Sequence, residues 1–346
     1  MDNARPLLIF GNLFLIIALI FTASHRIKQN RIKHGPETPT PEVPFIQEPE
    51  QPKDPQPPNI SNPIPSHQSY DEITQQLQEW HAESPDMTEV GTYGKTSGGK
   101  DIYYMRLGNL YRKGNPKVLL YACIHGNEPI STSTSMAFCG TLLSKYGRDE
   151  EVTKLLNTRE IYLDPVVSPD SYPHSRWIDG VDPNRDFPSM KDPNRVSVPP
   201  IKALQEFHLK HKFKAVLCGH SSGRWFLHPW SEVGMESKHH QQYVDIISRM
   251  MATAPGYKRK QSAYFYSNTI VGGGCDWFYR HGCFAITPEF GTHQRKSSDA
   301  DIREELDRLY EAFILYIREA PLVEVPVIGF DKPSYSEAST SRQTAS

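Results

Sequence analysis

The sequence predicts an α/β domain in which helices cover both faces of a central sheet. Three observations predict it. Short apolar runs, among them KVLLYACI at 117–124, FKAVLCG at 213–219 and CFAITPEF at 283–290, alternate with longer stretches of helical periodicity. The runs are almost continuously apolar, as strands buried on both faces must be. Two of them run directly into a histidine, His125 and His220, at the carboxyl ends where open α/β sheets carry their sites.

The chain divides into four parts, 1–34, 35–66, 67–322 and 323–346. Residues 7–21 read LLIFGNLFLIIALIF, 13 of 15 apolar. That is long for a signal-peptide core and short for an untilted span of ~20 residues. The segment reads as a single N-terminal membrane anchor, with a cleaved signal as the alternative because Thr22 and Ser24 offer small residues for cleavage. Arg26, Lys28, Arg31 and Lys33 follow it, and the positive-inside rule alone would hold the domain in the cytoplasm. Residues 35–66 argue the other way. They hold 11 of the 29 prolines and read as an extended spacer rising ~3.1 Å per residue, which suits a domain held off the outer side of a membrane. The expectation is an extracytoplasmic domain, in a periplasm or at a cell surface.

From His67 to Leu322 the chain has 256 residues, enough for one large core without disulfides. SYDEITQQLQEW places Ile73, Leu77 and Trp80 on one helical face, ending before Pro85. DIYYMRLG at 101–108 and KVLLYACI read as adjacent strands. SMAFCGTLLSKY, PIKALQEFHLKH, HQQYVDIISRMMA and DADIREELDRLYEAFILYIREA read as helices. In the last, Ile302, Leu306, Leu309 and Phe313 recur at helical spacing and form a core stripe. The domain ends at 322 and a largely disordered tail begins at 323, its Ser- and Thr-rich part running from Asp331.

With 38 basic against 40 acidic residues the formal charge is -2, which gives no electrostatic footprint for nucleic acid. Five scattered cysteines are an odd number and do not resemble a disulfide framework. Cys123 and Cys218 sit inside apolar runs and read as buried thiols.

HGNEP places His125 and Glu128 three apart just after a strand. An imidazole and a carboxylate at that spacing can face one metal ion, and zinc accepts both. The pattern alone is weak, since it recurs at His34 and Glu37 inside the proline-rich segment. Strand-end context makes it informative, and His220 supplies a third donor from a second strand.

Five blocks in fixed order, HGNEP, GVDPNRDFP, GHSSGRWFLHPW, VGGGCDW and ITPEFGT, together with the leading YDEI helix, resemble the zinc carboxypeptidase family typified by pancreatic carboxypeptidase A. The resemblance covers about residues 67 to 320 and implies a carboxypeptidase-like fold, a mixed, mostly parallel sheet between two helical layers. It implies one Zn²⁺ held by His125, Glu128 and His220, with Asp182 behind His125. It also implies that Asn184 and Arg185 grip the terminal carboxylate of a peptide. A second DPNR, at Asp192–Arg195, lacks the flanking GVD and DFP. Glu289 matches the carboxylate that takes a proton from water and passes it to the leaving amine. Arg176 is the expected partner of the oxyanion, with Arg224 as the alternative.

Two departures bear on substrate. Asn268 stands where the pancreatic enzymes carry a mobile tyrosine, leaving Tyr264 and Tyr266 as the neighbouring phenols. Cys275, with Ile270 and Thr287, stands where they read the substrate side chain, and no acid there selects basic residues. The expected substrate is a short peptide with a free carboxylate, of the cell-wall stem type. The alternatives are an amidohydrolase of the aspartoacylase and succinylglutamate desuccinylase type and a wall-binding protein on a retired peptidase fold.

Overall fold

Ser69 opens the first helix, α1 (Tyr70–Glu83), with a reciprocal cap. Its hydroxyl accepts from the Glu72 N–H at 3.3 Å while the Glu72 carboxylate accepts from the Ser69 N–H at 2.7 Å. The helix buries Ile73, Leu77 and Trp80 completely. The computed structural model describes residues 54–65, 69–232, 235–266, 269–291 and 298–328.

Residues 54–65 correct the expected spacer boundary at 66. They lie on the domain: the Trp80 indole N–H donates to the Asn62 carbonyl at 3.1 Å, Asn62 donates to Gln76 at 2.9 Å, and Arg148 donates to the Pro58 carbonyl at 2.8 Å. Pro55, Pro58, Ile60 and Pro65 are buried. A polyproline-type strand has no internal hydrogen bonds, so its carbonyls are free to accept from a neighbouring surface. The composition shows the extended backbone but not that the domain covers it. The apolar segment 7–21 lies outside the described residues. Among the described residues no helix is long and apolar enough to cross a membrane.

Among the described residues the strands are β1 (Thr88–Lys95), β2 (Asp101–Leu107), β3 (Lys117–Tyr121), β4 (Glu160–Asp164), β5 (Ala215–Cys218), β6 (His220–Ser221), β7 (Trp225–His228), β8 (Lys258–Gln261) and β9 (Phe284–Phe290). They form one mixed sheet in the order β1-β2-β4-β3-β5-β9-β7-β8, with β6 also on β9. The centre, β4-β3-β5-β9, is parallel, while β1-β2, β2-β4 and β7-β9 are antiparallel. The expected adjacency of β2 and β3 is therefore corrected, because β4 lies between them. Its sequence, EIYLD, has an acid at each end, and both look like surface residues yet are buried. Arg106 reaches the Glu160 carboxylate at 3.2 Å, and the Tyr93 hydroxyl donates to Asp164 at 2.5 Å.

The remaining helices are α2 (Pro129–Lys145), α3 (Glu150–Thr158), α4 (Pro199–His211), α5 (His240–Thr253), α6 (Ser262–Phe265), α7 (Gly274–Arg280) and α8 (Asp299–Glu319). Strand β9 shows how the two layers are separated. Its side chains alternate, and Phe284 and Phe290 meet Tyr243, Tyr316 and Phe313 of α5 and α8 on one face. Thr287 and Glu289 point to the other, towards Cys275 of α7 and towards Tyr266. In α8, Ile302, Leu306, Leu309 and Phe313 are all buried, each removing apolar area worth ~1.5–3 kcal/mol from water. Arg159 closes the carboxyl end of α8, donating to the carbonyls of Ile317 and Arg318.

The expected tail also begins later than 323. Ile328 N–H donates to the Arg280 carbonyl at 2.7 Å, and His239 pairs with the Glu324 carbonyl at 3.1 Å. All five cysteines are buried free thiols.

Candidate active site

The site lies at the carboxyl ends of β3, β5 and β9. After β3 the chain turns through Cys123, whose φ is +45°, and presents His125 just before α2. The turn is possible because residue 126 is glycine: a Cβ there would lie 2.4 Å from the Ser171 carbonyl carbon. Glu128 is the N-cap of α2 and directs its carboxylate back towards the strand ends. On β6, His220 pairs in parallel register with Glu289 of β9.

These elements bring His125, Glu128 and His220 together. One donor atom from each lies within 4.8 Å of the others, and all three residues are buried. His125 Nδ1 is 2.8 Å from Glu128 Oε1 and His220 Nδ1 is 3.0 Å from Glu128 Oε2. The Ser221 N–H also donates to Glu128 Oε2, at 3.1 Å. Behind the rings, His125 Nε2 meets Asp182 Oδ1 at 3.0 Å and His220 Nε2 meets the Asn184 amide at 3.1 Å.

This set fits zinc. Two imidazole nitrogens and a carboxylate converge with their far sides anchored, and the first imidazole is backed by a carboxylate, the support that orients a metal-binding histidine.

The electrostatics follow from burial and neighbours. Burial pushes Glu128 up, but the imidazoles of His220 and His125 outweigh it and bring its carboxyl down to about 2. Burial lowers His125, yet the Glu128 charge and the Asp182 hydrogen bond leave it raised. For His220 burial outweighs the Glu128 charge, and with the neutral Asn184 amide rather than a second carboxylate on its other nitrogen it stays lowered. Burial would also raise Asp182, but His125 and Arg176 hold it well below the carboxylate range. Glu289 is pushed up to about 8, first by burial and then by the Glu128 charge, while its bond from Tyr266 pulls the other way.

Arg176 lies beside the cluster. Its Nε and one terminal nitrogen donate to Asp182 Oδ2 at 3.1 and 2.8 Å, and the other terminal nitrogen is 3.9 Å from Glu128 Oε1. Arg224, the alternative, is turned away and binds Glu304 and Glu305 on α8. Asn184 and Arg185 lie on a single 3₁₀ turn, Pro183–Arg185, capped by Asp182, which accepts from the Asn184 N–H at 3.0 Å. The Asn184 amide is engaged at both ends, since its oxygen also accepts from Gly274 N–H at 2.8 Å. Arg185 donates to the Asn184 carbonyl at 2.7 Å, and burial lowers its pKa. Gly272, at φ +76°, gives this turn room: a Cβ there would sit 2.5 Å from the Arg185 carbonyl oxygen. Cys275, Ile270 and Thr287 are each 7% exposed. The second DPNR, Asp192–Arg195, is an exposed turn.

Asn268 lies outside the described residues. Two positions earlier, Tyr266 donates its hydroxyl to Glu289 Oε1 at 3.1 Å, whereas Tyr264 is exposed. Sequence reasoning could name both phenols but not choose between them, because the choice depends on how the chain leaves α6.

Fold and site together define a zinc-type metallopeptidase scaffold. Residues 73–312, more than half of the chain, match the family model described as zinc carboxypeptidase, and the chain belongs to that family. Carboxypeptidase A2 of Rattus norvegicus is 24% identical over 256 residues, 63% of this chain and 60% of the relative. Carboxypeptidase D of Homo sapiens is 23% identical over 268 residues, 65% of this chain and 19% of the relative. The chain thus spans about 60% of the length of the carboxypeptidase A2 relative. The fold is shared with solved structures of thrombin-activatable fibrinolysis inhibitor (TM-score 0.69, 20% identity, 76% of each chain) and of carboxypeptidase A from Helicoverpa armigera (TM-score 0.64, 19% identity, 74% of each chain).

Proposed function

We propose that this chain is a zinc-dependent carboxypeptidase that hydrolyses a peptide bond beside a free terminal carboxylate. The observation that carries the reading is the buried His125–Glu128–His220 cluster with Glu289 in register beside His220. Zinc held there supplies Lewis acidity towards water and the scissile carbonyl. The protein's own groups do the rest. Arg185 anchors the substrate carboxylate through parallel charge-assisted hydrogen bonds. Glu289 accepts a proton from the attacking water and delivers it to the departing amine. Arg176 faces the carbonyl oxygen and stabilises the charge that develops on it.

Cys275, Ile270 and Thr287, the residues that resemble the family's side-chain-reading positions, carry no charge, which supports a neutral residue at the carboxyl terminus. Within this class we favour short cell-wall stem peptides, on the strength of the apolar segment 7–21 and the proline-rich stretch after it, read as an anchor and spacer for an extracytoplasmic domain. The test is incubation of the zinc-loaded full chain with three substrate sets, followed by mass spectrometry: peptides ending in neutral or basic residues, muropeptides, and acyl-amino acids. Loss of one neutral terminal residue is expected from the first set and a shortened stem from the second. Turnover confined to acyl-amino acids would overturn the carboxypeptidase reading, and intact muropeptides would remove the cell-wall assignment alone.

A further inference from the structure

Glu305 is an acid in the middle of the apolar stripe of α8, one residue before Leu306, and it is only 1% exposed. A carboxylate buried there is costly unless it is fully bonded. Its bonds go to the back of the site. Oε1 accepts from the Gly291 N–H at 2.9 Å and from the Tyr257 hydroxyl, and Oε2 accepts from Arg224 Nε at 3.2 Å.

Gly291 lies two residues past Glu289, and Arg224 lies four past His220. The loop that carries Arg224 crosses the end of β9: Gly223 N–H donates to the Gly291 carbonyl at 2.8 Å and Arg224 N–H to the Glu289 carbonyl at 2.9 Å. Arg224 has φ +57°, a region a non-glycine residue rarely adopts. Its guanidinium is held on the outer side by Glu304, at 3.1 Å. One buried carboxylate therefore ties together the two backbone segments that carry His220 and Glu289.

We infer that Glu305, acting with Arg224 and Tyr257, is a positioning residue for the proposed hydrolysis, fixing the separation between the general base and the metal-binding histidine. The inference rests on the hydrolytic reading above, and it concerns geometry rather than contact with substrate. Misplacing a reacting group by ~1 Å can cost ~100-fold in rate, so small slippage of this clamp is enough to be measured.

The experiment uses the zinc-loaded full chain with Glu305→Gln, which keeps the shape and one acceptor but removes the ion pair. The expected result is a kcat lowered roughly 10- to 100-fold, KM within about twofold, zinc content unchanged, and faster amide exchange at Gly291 and Arg224. Arg224→Lys, which cannot donate through a fork of nitrogens, is the second variant and should show the same pattern at smaller size should Glu305→Gln fail to fold. An unchanged kcat well below the melting temperature, even with a lower melting temperature, would overturn the inference and leave Glu305 a structural residue only. Loss of zinc would overturn it as well. If the wild-type chain hydrolyses nothing, the hydrolytic reading fails by itself. Amide exchange then still decides the clamp, since unchanged protection at Gly291 would refute it.

Discussion

Glu128 and Glu289 are buried almost equally, 2% and 5% exposed, near the ends of two strands, β3 and β9, of one sheet. They ionise in opposite directions. Burial pushes both carboxyls up, but Glu128 has an imidazole against each oxygen and falls to about 2, while Glu289 has a phenol and a nearby carboxylate charge and rises to about 8. The difference teaches that burial does not assign a role; partners do. A carboxylate kept ionised beneath two imidazoles is a ligand, and one poised to exchange a proton is a base.

Exchanging each acid for its amide breaks the comparison most severely. Glu289→Gln should lower kcat/KM by ~10²–10⁴-fold while the protein keeps its zinc. Glu128→Gln should abolish activity by losing the metal. Peptide hydrolysis alongside metal analysis after dialysis checks both, and zinc loss in Glu289→Gln would contradict the assignment of roles.

A smaller effect is expected one step back from the metal. Asp182 accepts from His125 and Arg176 and caps the turn carrying Asn184 and Arg185. Asp182→Asn should weaken zinc binding ~10- to 100-fold and also raise KM, because the carboxylate clamp shifts with the turn. Zinc titration against a competing chelator measures the first effect, and unchanged affinity would show that Asp182 serves the turn alone.

What could be read from the sequence follows the same division between local and distant partners. The strand KVLLYACI and its histidine are legible because a strand buried on both faces is apolar throughout and places the next residue at the site. Strand β1 is not, since Gly91 and Gly94 and an irregularity between Thr92 and Gly94 break its alternation. Strand β4 is hidden by Glu160 and Asp164, whose partners Arg106 and Tyr93 come from β2 and β1. The metal donors are legible from their spacing and strand-end positions and Glu289 from the ordered blocks, whereas Glu305 is invisible because its partner Arg224 lies 81 residues away. The end of the proline-rich stretch is hidden for a similar reason: its covering helix comes later in the chain.

Asp164 sharpens the comparison as a third buried carboxylate, fully buried and without a cationic partner. Burial pushes it up to about 7, opposed by hydrogen bonds from Tyr93 and from the backbone of Val166. Its folded pKa is thus raised above the ordinary value of 3.8. The sign follows: the protonated form is favoured by folding, so the stabilisation is complete below 3.8 and is lost as pH rises towards 7. At 1.36 kcal/mol per pKa unit the whole effect is on the order of 4 kcal/mol at most. Asp164→Asn retains an acceptor for the Tyr93 hydroxyl and removes the titration. Denaturant unfolding of zinc-stripped protein between pH 5 and 8 should therefore show the variant gaining on wild type as pH rises, by roughly 1–3 kcal/mol across that window. A constant difference across the window would mean that Asp164 is already ionised in the fold. The rule drawn from Glu128 and Glu289 would then fail at a carboxyl where burial is the main influence.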